Sequence, residues 1–363
     1  MRLVALLAIA LAACGGSAAP AKPKQVLGPE IDERTAESDA KGTLKEIYGA
    51  ISRAKPDNLF SVVDEDVIVF GPRTQDAHVN RTDALVALGE VVDPRADKHA
   101  QLRAGPLAVV PAKGGRSAWA FDVVDVDGSP MAVTAILSSE DEFFRLTVAA
   151  VARTPSMKDL RSELKKTAVV PTGAKDGGKV ASEARGAVER FQKGLIDQEA
   201  WGSDLGSRSD AIVIGPTSGE VTRGKKDIKK LWKKRVEAET RAAVSGEIRA
   251  DVTADGQLAW VTAPITRVEK DEEPLPLRAF AVFEKDGASW RMIALHEALA
   301  LDEPGAGSAF VKILPPAPRP AEPEPAVEKA EDKKVETAKK KKKKKKAKKK
   351  KKKKKSDDDD DDE

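Results

Sequence analysis

The fold is decided by a seven-residue stretch that occurs twice, as DVIVFGP at residues 66–72 and as DAIVIGP at residues 210–216. Each apolar run predicts a short strand, and the proline ends it because proline has no amide hydrogen for the ladder. The 144-residue offset between the two stretches also aligns apolar positions of the preceding helix, namely Leu44, Ile47 and Ile51 with Val188, Phe191 and Leu195. A single offset across strand and helix positions indicates one structural unit written twice.

Both copies predict the same order of elements: a helix, a short helical segment, two strands, another helix and a run of antiparallel strands. Asn80 and Gly224 occupy matching positions before the last helix, and both residue types tolerate the positive φ of a sharp turn. We expect that helix at residues 82–93 and 225–239. The element order predicts an α+β fold class.

Three motifs resemble the SnoaL-like branch of the nuclear transport factor 2-like superfamily. They are the Asp-x-Ile-Val-x-Gly-Pro strand, the helix start Gly224-Lys-Lys-Asp-Ile and the last strand Trp290-Arg-Met-Ile-Ala-Leu-His296. The resemblance implies two tandem cone-shaped domains at residues 35–152 and 180–302. Each would be a curved antiparallel sheet wrapped on about three helices around an open cavity. Residues 153–179 are expected to link them.

The first 14 residues, MRLVALLAIALAAC, have the anatomy of an export signal: a positive residue, a short apolar run and small residues. The apolar run is too short to span a bilayer, which takes about 20 residues. The segment ends in Cys14, the only Cys, and resembles a bacterial lipobox. That resemblance implies acylation of Cys14, with palmitate-type chains anchoring the protein to a membrane of the cell envelope. The same resemblance implies the outer rather than the inner membrane, because Gly15 stands where an Asp commonly retains such lipoproteins at the inner membrane. Residues 15–34 predict a flexible tether.

The overall charge of +4 hides a strongly charged C-terminal tail. The 16 lysines within Lys339–Lys355 and the seven acidic residues of 357–363 leave +9 on the tail, so the rest of the chain carries −5. Residues 303–363 are rich in Pro, Glu and Lys and have few large apolar side chains, which predicts disorder. The lysines either adhere to anionic envelope polymers such as lipopolysaccharide or peptidoglycan, or only solubilise the chain. Nucleic acid is disfavoured as a partner because the rest of the chain is acidic.

The last helix of the second copy is basic on one side. At 100° per residue its lysines fill one half of the helix, and Ile228, Leu231, Trp232 and Val236 fill the other. Either this side is a solvated face, or it binds an anionic surface. The lysines are Lys225, Lys226, Lys229, Lys230, Lys233 and Lys234.

No residue set has the pattern of a catalytic centre. His296 and Asp210 are the only candidates for acid–base chemistry, and a lone His among apolar neighbours is more often a packed residue. Strict alternation would place Trp290, Met292 and His296 on one face of the last strand. Trp119 and Trp260 lie in matching strands, and we expect these five residues to line a cavity. No Cys or His cluster predicts a metal, and no motif predicts a cofactor.

Three hypotheses follow, and the first is favoured. The protein is a non-enzymatic, lipid-anchored envelope protein that binds a small apolar ligand or a partner. Alternatively, it is a cavity enzyme of the cyclase, isomerase or hydrolase type that uses His296. In the third hypothesis, the two copies pair through their sheets as a structural internal pseudo-dimer.

Overall fold

The computed structural model describes residues 28–299, with gaps at 54, 72–76, 85–101, 104, 127–128, 140, 142, 157, 161–178 and 271–273. All described residues belong to the first of two units, 1–317 and 318–363, into which the chain divides. The predicted signal with Cys14, the tail and most of the predicted tether and linker lie outside the described residues. Most of the predicted helix at 82–93 does as well.

The first cone, as we call residues 28–160, begins with helix α1 (Glu33–Ser52). The Asp32 side chain accepts a hydrogen bond from the backbone N–H of Thr35 at 3.1 Å and so caps the helix. The apolar positions that predicted this helix are buried. A 3-10 turn (Pro56–Leu59) follows, and then β1 (Val63–Phe70), β2 (Ala77–Val79), β3 (Leu102–Arg103), β4 (Ala108–Pro111), β5 (Ser117–Val126), β6 (Ser129–Ser139) and β7 (Phe144–Arg153).

The second cone, residues 179–299, repeats this plan with more helix in its described part. It contains a 3-10 turn (Ser182–Ala184), α2 (Arg185–Ile196), α3 (Gln198–Leu205), β8 (Ile212–Ile214), β9 (Val221–Arg223) and α4 (Gly224–Glu237). The remaining strands are β10 (Arg241–Val244), β11 (Arg249–Val252), β12 (Leu258–Val268), β13 (Leu275–Asp286) and β14 (Ser289–Leu299). Asn80 and Gly224 have φ values of 87° and 74°, which confirms the predicted turns.

Both seven-stranded sheets have the same strand order. The first runs β2-β1-β7-β6-β5-β3, with β4 also on β5; the second runs β9-β8-β14-β13-β12-β10, with β11 also on β12. The predicted α+β class is confirmed. One pair in each sheet, β1 with β7 and β8 with β14, is parallel rather than antiparallel. The two strands of each parallel pair are far apart in sequence, so no hairpin fixes their relative direction.

The described core has three parts. One cluster packs α1 against the first sheet, and another packs α2, α3 and α4 against the second sheet. The third contains strand residues of both sheets, including Phe70, Trp119, Trp260 and Phe280. Each sheet therefore has helices on one face and residues of the other sheet on its opposite face.

The last strand of each cone contains a bulge at the same place. Val282 pairs with Ala294 and Phe283 with Met292, so Ile293 is an extra residue; the first cone has the equivalent shift between Ile136 and Leu137. The prediction that Trp290, Met292 and His296 share one face is wrong, because the extra residue reverses the alternation. Trp290 and Met292 pack in the second cone, whereas Ala294 packs between the sheets.

Candidate functional site

A cavity of about 400 Å³ opens in the second cone between α4, the strands β8 and β9, and the end of β12. We call it the second-cone cavity. Five of the residues that line it are ionisable: Glu220, Lys234, Arg235, Arg267 and Glu269. Val213, Leu231 and Ala238 supply an apolar wall. The lining is thus of mixed polarity, with both signs of charge.

Two arginines of the cavity share one buried carboxylate. Nη1 and Nη2 of Arg235 donate to Oε1 and Oε2 of Glu297 at 3.2 and 2.5 Å, and Nη1 of Arg267 donates to Oε2 at 2.7 Å. The Glu297 side chain is 1% exposed, and those of Arg235 and Arg267 are 9% and 12% exposed. These charge-assisted bonds fix both guanidinium groups at the wall of the cavity.

The electrostatics of this cluster favour the charged forms of Glu297 and Arg267. Burial by itself would raise the pKa of Glu297, but the adjacent Arg235 and Arg267 hold the pKa below its ordinary value. Burial would likewise lower the pKa of Arg267, and Glu297, Glu269 and Glu220 together raise it instead. The cluster therefore brings two cations and one anion to the cavity.

The local sequence explains how these groups reach the cavity. Arg235 lies on the side of α4 that also buries Ile228 and Trp232, and its Cζ is 4.7 Å from the centroid of the Trp232 ring. Glu297 lies on the helix-facing side of β14. After α4 the chain turns at Glu239, with φ 48°, and the backbone N–H of Thr240 donates to the carbonyl of Arg235 at 2.9 Å. This turn places Thr240 in the cavity lining beside Arg235.

His296 lies between the two sheets and is 1% exposed. Its Nδ1 is 3.1 Å from Oγ1 of Thr134 in the first cone, and its Nε2 has no hydrogen-bond partner among the described residues. Burial, and then the charge of Arg278, lower the pKa of His296 to about 4. A neutral imidazole packed in this way is not in reach of a molecule in the second-cone cavity, whose lining does not include it.

Asp210, the other acid–base candidate, is held in an ion pair at the start of β8. Both of its carboxylate oxygens accept hydrogen bonds from Arg208, at 2.8 and 2.6 Å, and Arg208 also contacts Glu284. The hydrogen bond from Arg208 keeps the pKa of Asp210 below its ordinary value. The described contacts do not join Asp210 to His296, so the structure does not bring the two candidates together.

The aromatic and Met candidates lie in the core. Trp290 and Met292 pack against the helices of the second cone, whereas Trp119 and Trp260 pack between the sheets. The Trp260 ring stacks on Phe280 with centroids 6.2 Å apart. The lining of the second-cone cavity contains none of these four residues.

A second polar pair is buried in the first cone. Tyr48 of α1 and Asp122 of β5 are 8% and 1% exposed, and Oδ1 of Asp122 accepts a hydrogen bond from the N–H of Val123 at 2.8 Å. Burial raises the pKa of Asp122. Burial and the neighbouring carboxyl also raise the pKa of Tyr48. The sequence prediction missed this pair because its two members lie in separate elements.

The six lysines of α4 are all exposed. Lys230 pairs with Asp227 and Lys233 with Glu237, at 3.2 and 3.8 Å. Such exposed pairs leave much of the positive field of the helix in place. Lys234 is the lysine of this set that also lines the second-cone cavity. Lys339 and Lys355 lie outside the described residues.

Among the described residues, no cluster of His, Cys, Asp and Glu side chains has the arrangement of a metal site. Within the same residues, none of the helices has both the length and the apolar character needed to cross a bilayer.

Residues 200–302 match the SnoaL-like domain family. The chain thus contains one SnoaL-like domain, and this domain holds the second-cone cavity and its Arg235–Glu297–Arg267 cluster. A search of curated proteins finds no match.

Solved structures to which the chain is similar include an NTF2-like protein from Cytophaga hutchinsonii. It is 9% identical with a TM-score of 0.28, and the match covers 34% of this chain and 99% of that one. A cystatin-like fold protein from Caulobacter vibrioides is 10% identical with a TM-score of 0.30, covering 36% and 97%. Another cystatin-like fold protein, from Burkholderia xenovorans, is 8% identical with a TM-score of 0.29, covering 35% and 97%.

Sequence reasoning missed Arg235, Arg267 and Glu297, although one signal was present. Arg235 continues the 228, 232, 235 spacing of the apolar side of α4, so it is a charged residue at a core position. Glu297 likewise interrupts the apolar run of the last strand. A buried cation on a helix and a buried anion on a strand are expected to find each other, because neither is stable alone.

Proposed function

We propose that this chain is a lipid-anchored, non-enzymatic binding protein of the bacterial envelope, and that its second cone binds a small polar ligand. The observation that carries the proposal is the second-cone cavity, with Arg235 and Arg267 held at its wall by Glu297. Concave sites with a few fixed polar groups are the usual form of small-molecule sites. The SnoaL-like domain of residues 200–302 belongs to a fold that serves both binding proteins and enzymes.

The lining favours a polar ligand over the apolar one expected from the sequence. An apolar molecule would remove water from charged groups such as Lys234 and Glu269 without replacing the hydrogen bonds. A polar ligand replaces them. The apolar wall is small and suits a short hydrocarbon segment.

The location of His296 supports binding rather than catalysis at this site. A general base must lie within hydrogen-bond reach of the proton that it removes. His296 is buried between the sheets, and Asp210 is engaged by Arg208. Arg235 and Arg267 at the cavity wall are both bound to Glu297, which suits fixed recognition better than proton transfer.

Anchoring and surface adhesion complete the proposal. Cys14 would carry the acyl chains, and the exposed lysines of α4 and Lys339–Lys355 would contact anionic lipopolysaccharide or peptidoglycan. The test compares binding of the full chain and of a chain lacking residues 339–363 to lipopolysaccharide vesicles over a range of salt. The full chain should bind more tightly and lose the advantage at high salt. Equal binding at low salt would reject the role of the tail.

We also propose that the two cones form an internal pseudo-dimer. Strand residues from both sheets pack in one cluster, Arg278 donates to the carbonyl of Gly71, and Ser117 donates to Asp255 at 2.8 Å. Each cone would cover the sheet face that the other leaves exposed. Sedimentation of the full chain in detergent should then give one chain per particle, and a stable dimer of chains would contradict this arrangement.

Ligand binding is tested on the full-length protein in detergent by saturation-transfer NMR against a panel of small organic acids, amines, amino acids and sugars. At least one class should bind. A variant that fills the cavity, Ala238→Trp, should abolish the signal, whereas Val236→Trp should retain it because Val236 is 44% exposed on the same helix. If no class binds, or if both variants bind equally, the cavity is not the site.

A further inference from the structure

We infer that the ligand of the second-cone cavity carries a carboxylate, received by Arg235, Arg267 and the hydroxyl of Thr240. This inference rests on the proposed function, since it assumes that the cavity is a binding site. It names the chemical class of the ligand: a short aliphatic carboxylic acid in its ionised form.

The two arginines have more N–H donors than their acidic partners use. A guanidinium group has five N–H donors in a planar fork that matches a carboxylate. The bonds of Arg235 and Arg267 to Glu297, together with the 3.4 Å contact of Arg267 Nε with Glu269, use four of their ten N–H groups. Both residues line the cavity, so a ligand carboxylate can accept from the remaining donors.

The cavity also contains a buried hydroxyl group that the described residues leave unsatisfied. Thr240 lines the cavity and is 5% exposed, and its Oγ1 has no hydrogen-bond partner among the described residues. A buried hydroxyl without a partner is costly and calls for an explanation. The backbone N–H of Thr240 donates to the carbonyl of Arg235, and both residues line the same cavity. A ligand carboxylate in this cavity can therefore accept from the hydroxyl as well as from a guanidinium group.

The acids near the cavity offset the charges of the arginines but leave donors and a further cation. Glu297 binds both arginines, and Glu269 pairs with Arg267. Oε2 of Glu220 accepts a hydrogen bond from the N–H of Thr217 at 3.4 Å. Lys234 is a further cation, exposed at the cavity. A ligand carboxylate can pair with Lys234 while it accepts hydrogen bonds from the remaining arginine donors.

The apolar wall of the cavity determines the chemistry of the part of the ligand beyond its carboxylate. Val213, Leu231 and Ala238 line the cavity together with the charged groups. A carboxylate head on a short hydrocarbon chain matches this division, with the head at the arginines and the chain along the wall. A longer fatty acid would not fit within a cavity of about 400 Å³ without leaving chain in water.

The test uses three probes with the same chain and different head groups: hexanoate, hexanamide and hexylamine. Each is titrated into the full-length protein in detergent by calorimetry at pH 7. Hexanoate should bind roughly ten-fold more tightly than hexanamide, since hydrogen bonds to a charged group are stronger than neutral ones. Hexylamine should bind most weakly. Equal affinities, the reverse order or no binding of hexanoate would overturn the carboxylate assignment.

Two variants locate the head group. Thr240→Val should weaken hexanoate about ten-fold and leave stability unchanged or higher, because the hydroxyl that it removes has no partner in the free protein. Ser245→Ala is the matched control: it also removes a buried, unpartnered hydroxyl, but at a position that does not line the cavity. A folded Thr240→Val variant with wild-type hexanoate affinity would overturn the site.

The failure of this inference differs from failure of the proposed function. If amines or sugars bind and Ala238→Trp blocks them, the cavity is a ligand site and only the carboxylate assignment falls. If nothing in the wider panel binds, both fall.

Discussion

Nδ1 of His296 and Oγ1 of Thr134 lie 3.1 Å apart between the two sheets, although 162 residues separate them in sequence. The contact joins the last strand of the second cone to a central strand of the first. His296 thus occupies a position at which any charge would be desolvated. This catalytic candidate is therefore better explained as part of the packing between the sheets.

Acid should destabilise the protein through His296. The pKa of His296 falls from an ordinary value of 6.5 in the unfolded chain to about 4 in the folded one. The unfolded state therefore binds more protons between these values, so stability is lost as the pH falls from about 6.5 through 4. The loss amounts to about 3 kcal/mol in the free energy of unfolding.

Urea unfolding of wild type and His296→Asn at several pH values between 4 and 7 checks this prediction. The variant has no group that titrates at this position, so the difference between the two curves isolates His296. A difference that does not change with pH would show that the imidazole is not buried as described.

The carboxylate of Glu297 should be essential to the stability of the second cone. Replacement by Gln leaves Arg235 and Arg267 buried without their shared anion, and removing one side of a buried ion pair costs about 3–5 kcal/mol. Glu269→Gln is the matched control, since this partner of Arg267 is 37% exposed and its loss should cost under about 1 kcal/mol. Denaturant unfolding measures the free energy of unfolding of both variants. Similar decreases in this free energy for Glu297→Gln and Glu269→Gln would argue against a buried cluster.

The packing between the sheets should depend on Trp260. It is 5% exposed and contacts Phe70 and Phe280, with centroids 5.8 and 6.2 Å away. Trp260→Ala should lower the free energy of unfolding by about 3–5 kcal/mol. Phe143→Ala, at a 67% exposed position, should change it by under about 0.5 kcal/mol. An effect of Trp260→Ala below that of an ordinary surface change would contradict the proposed pseudo-dimer.

Acylation should depend on Cys14. The wild-type protein should fractionate with membranes, and mass spectrometry should find acyl chains on an N-terminal Cys14. Cys14→Ser should release the protein into the soluble fraction, because the acyl chains supply the membrane affinity. Membrane-extracted wild-type protein with an unmodified Cys14 would remove the anchor from the proposal.

Much of the fold could be predicted from sequence because the repeat exposed it. The Gly-Pro strand ends and the turns at Asn80 and Gly224 are local signals, and each was recognisable twice. The bulge at Ile293 could not be predicted, since no local sequence signal marks the extra residue in this strand. It reversed the face of His296 and with it the predicted cavity lining.

The candidate site was harder to predict for a related reason. Arg235 and Glu297 are 62 residues apart, and only the packing of α4 on β14 brings them together. The lysines around Arg235 also made it look like one more exposed cation of a basic helix. Its position on the apolar side of α4, three residues beyond Trp232, was the distinguishing signal.

The most direct measurement is a crystal structure of the full-length protein grown with hexanoate. We expect the hexanoate carboxylate in the second-cone cavity, within hydrogen-bond distance of Oγ1 of Thr240 and of the guanidinium group of Arg235 or Arg267. An empty cavity in crystals that hold hexanoate elsewhere, or a hexanoate with its methyl end against the arginines, would contradict this expectation.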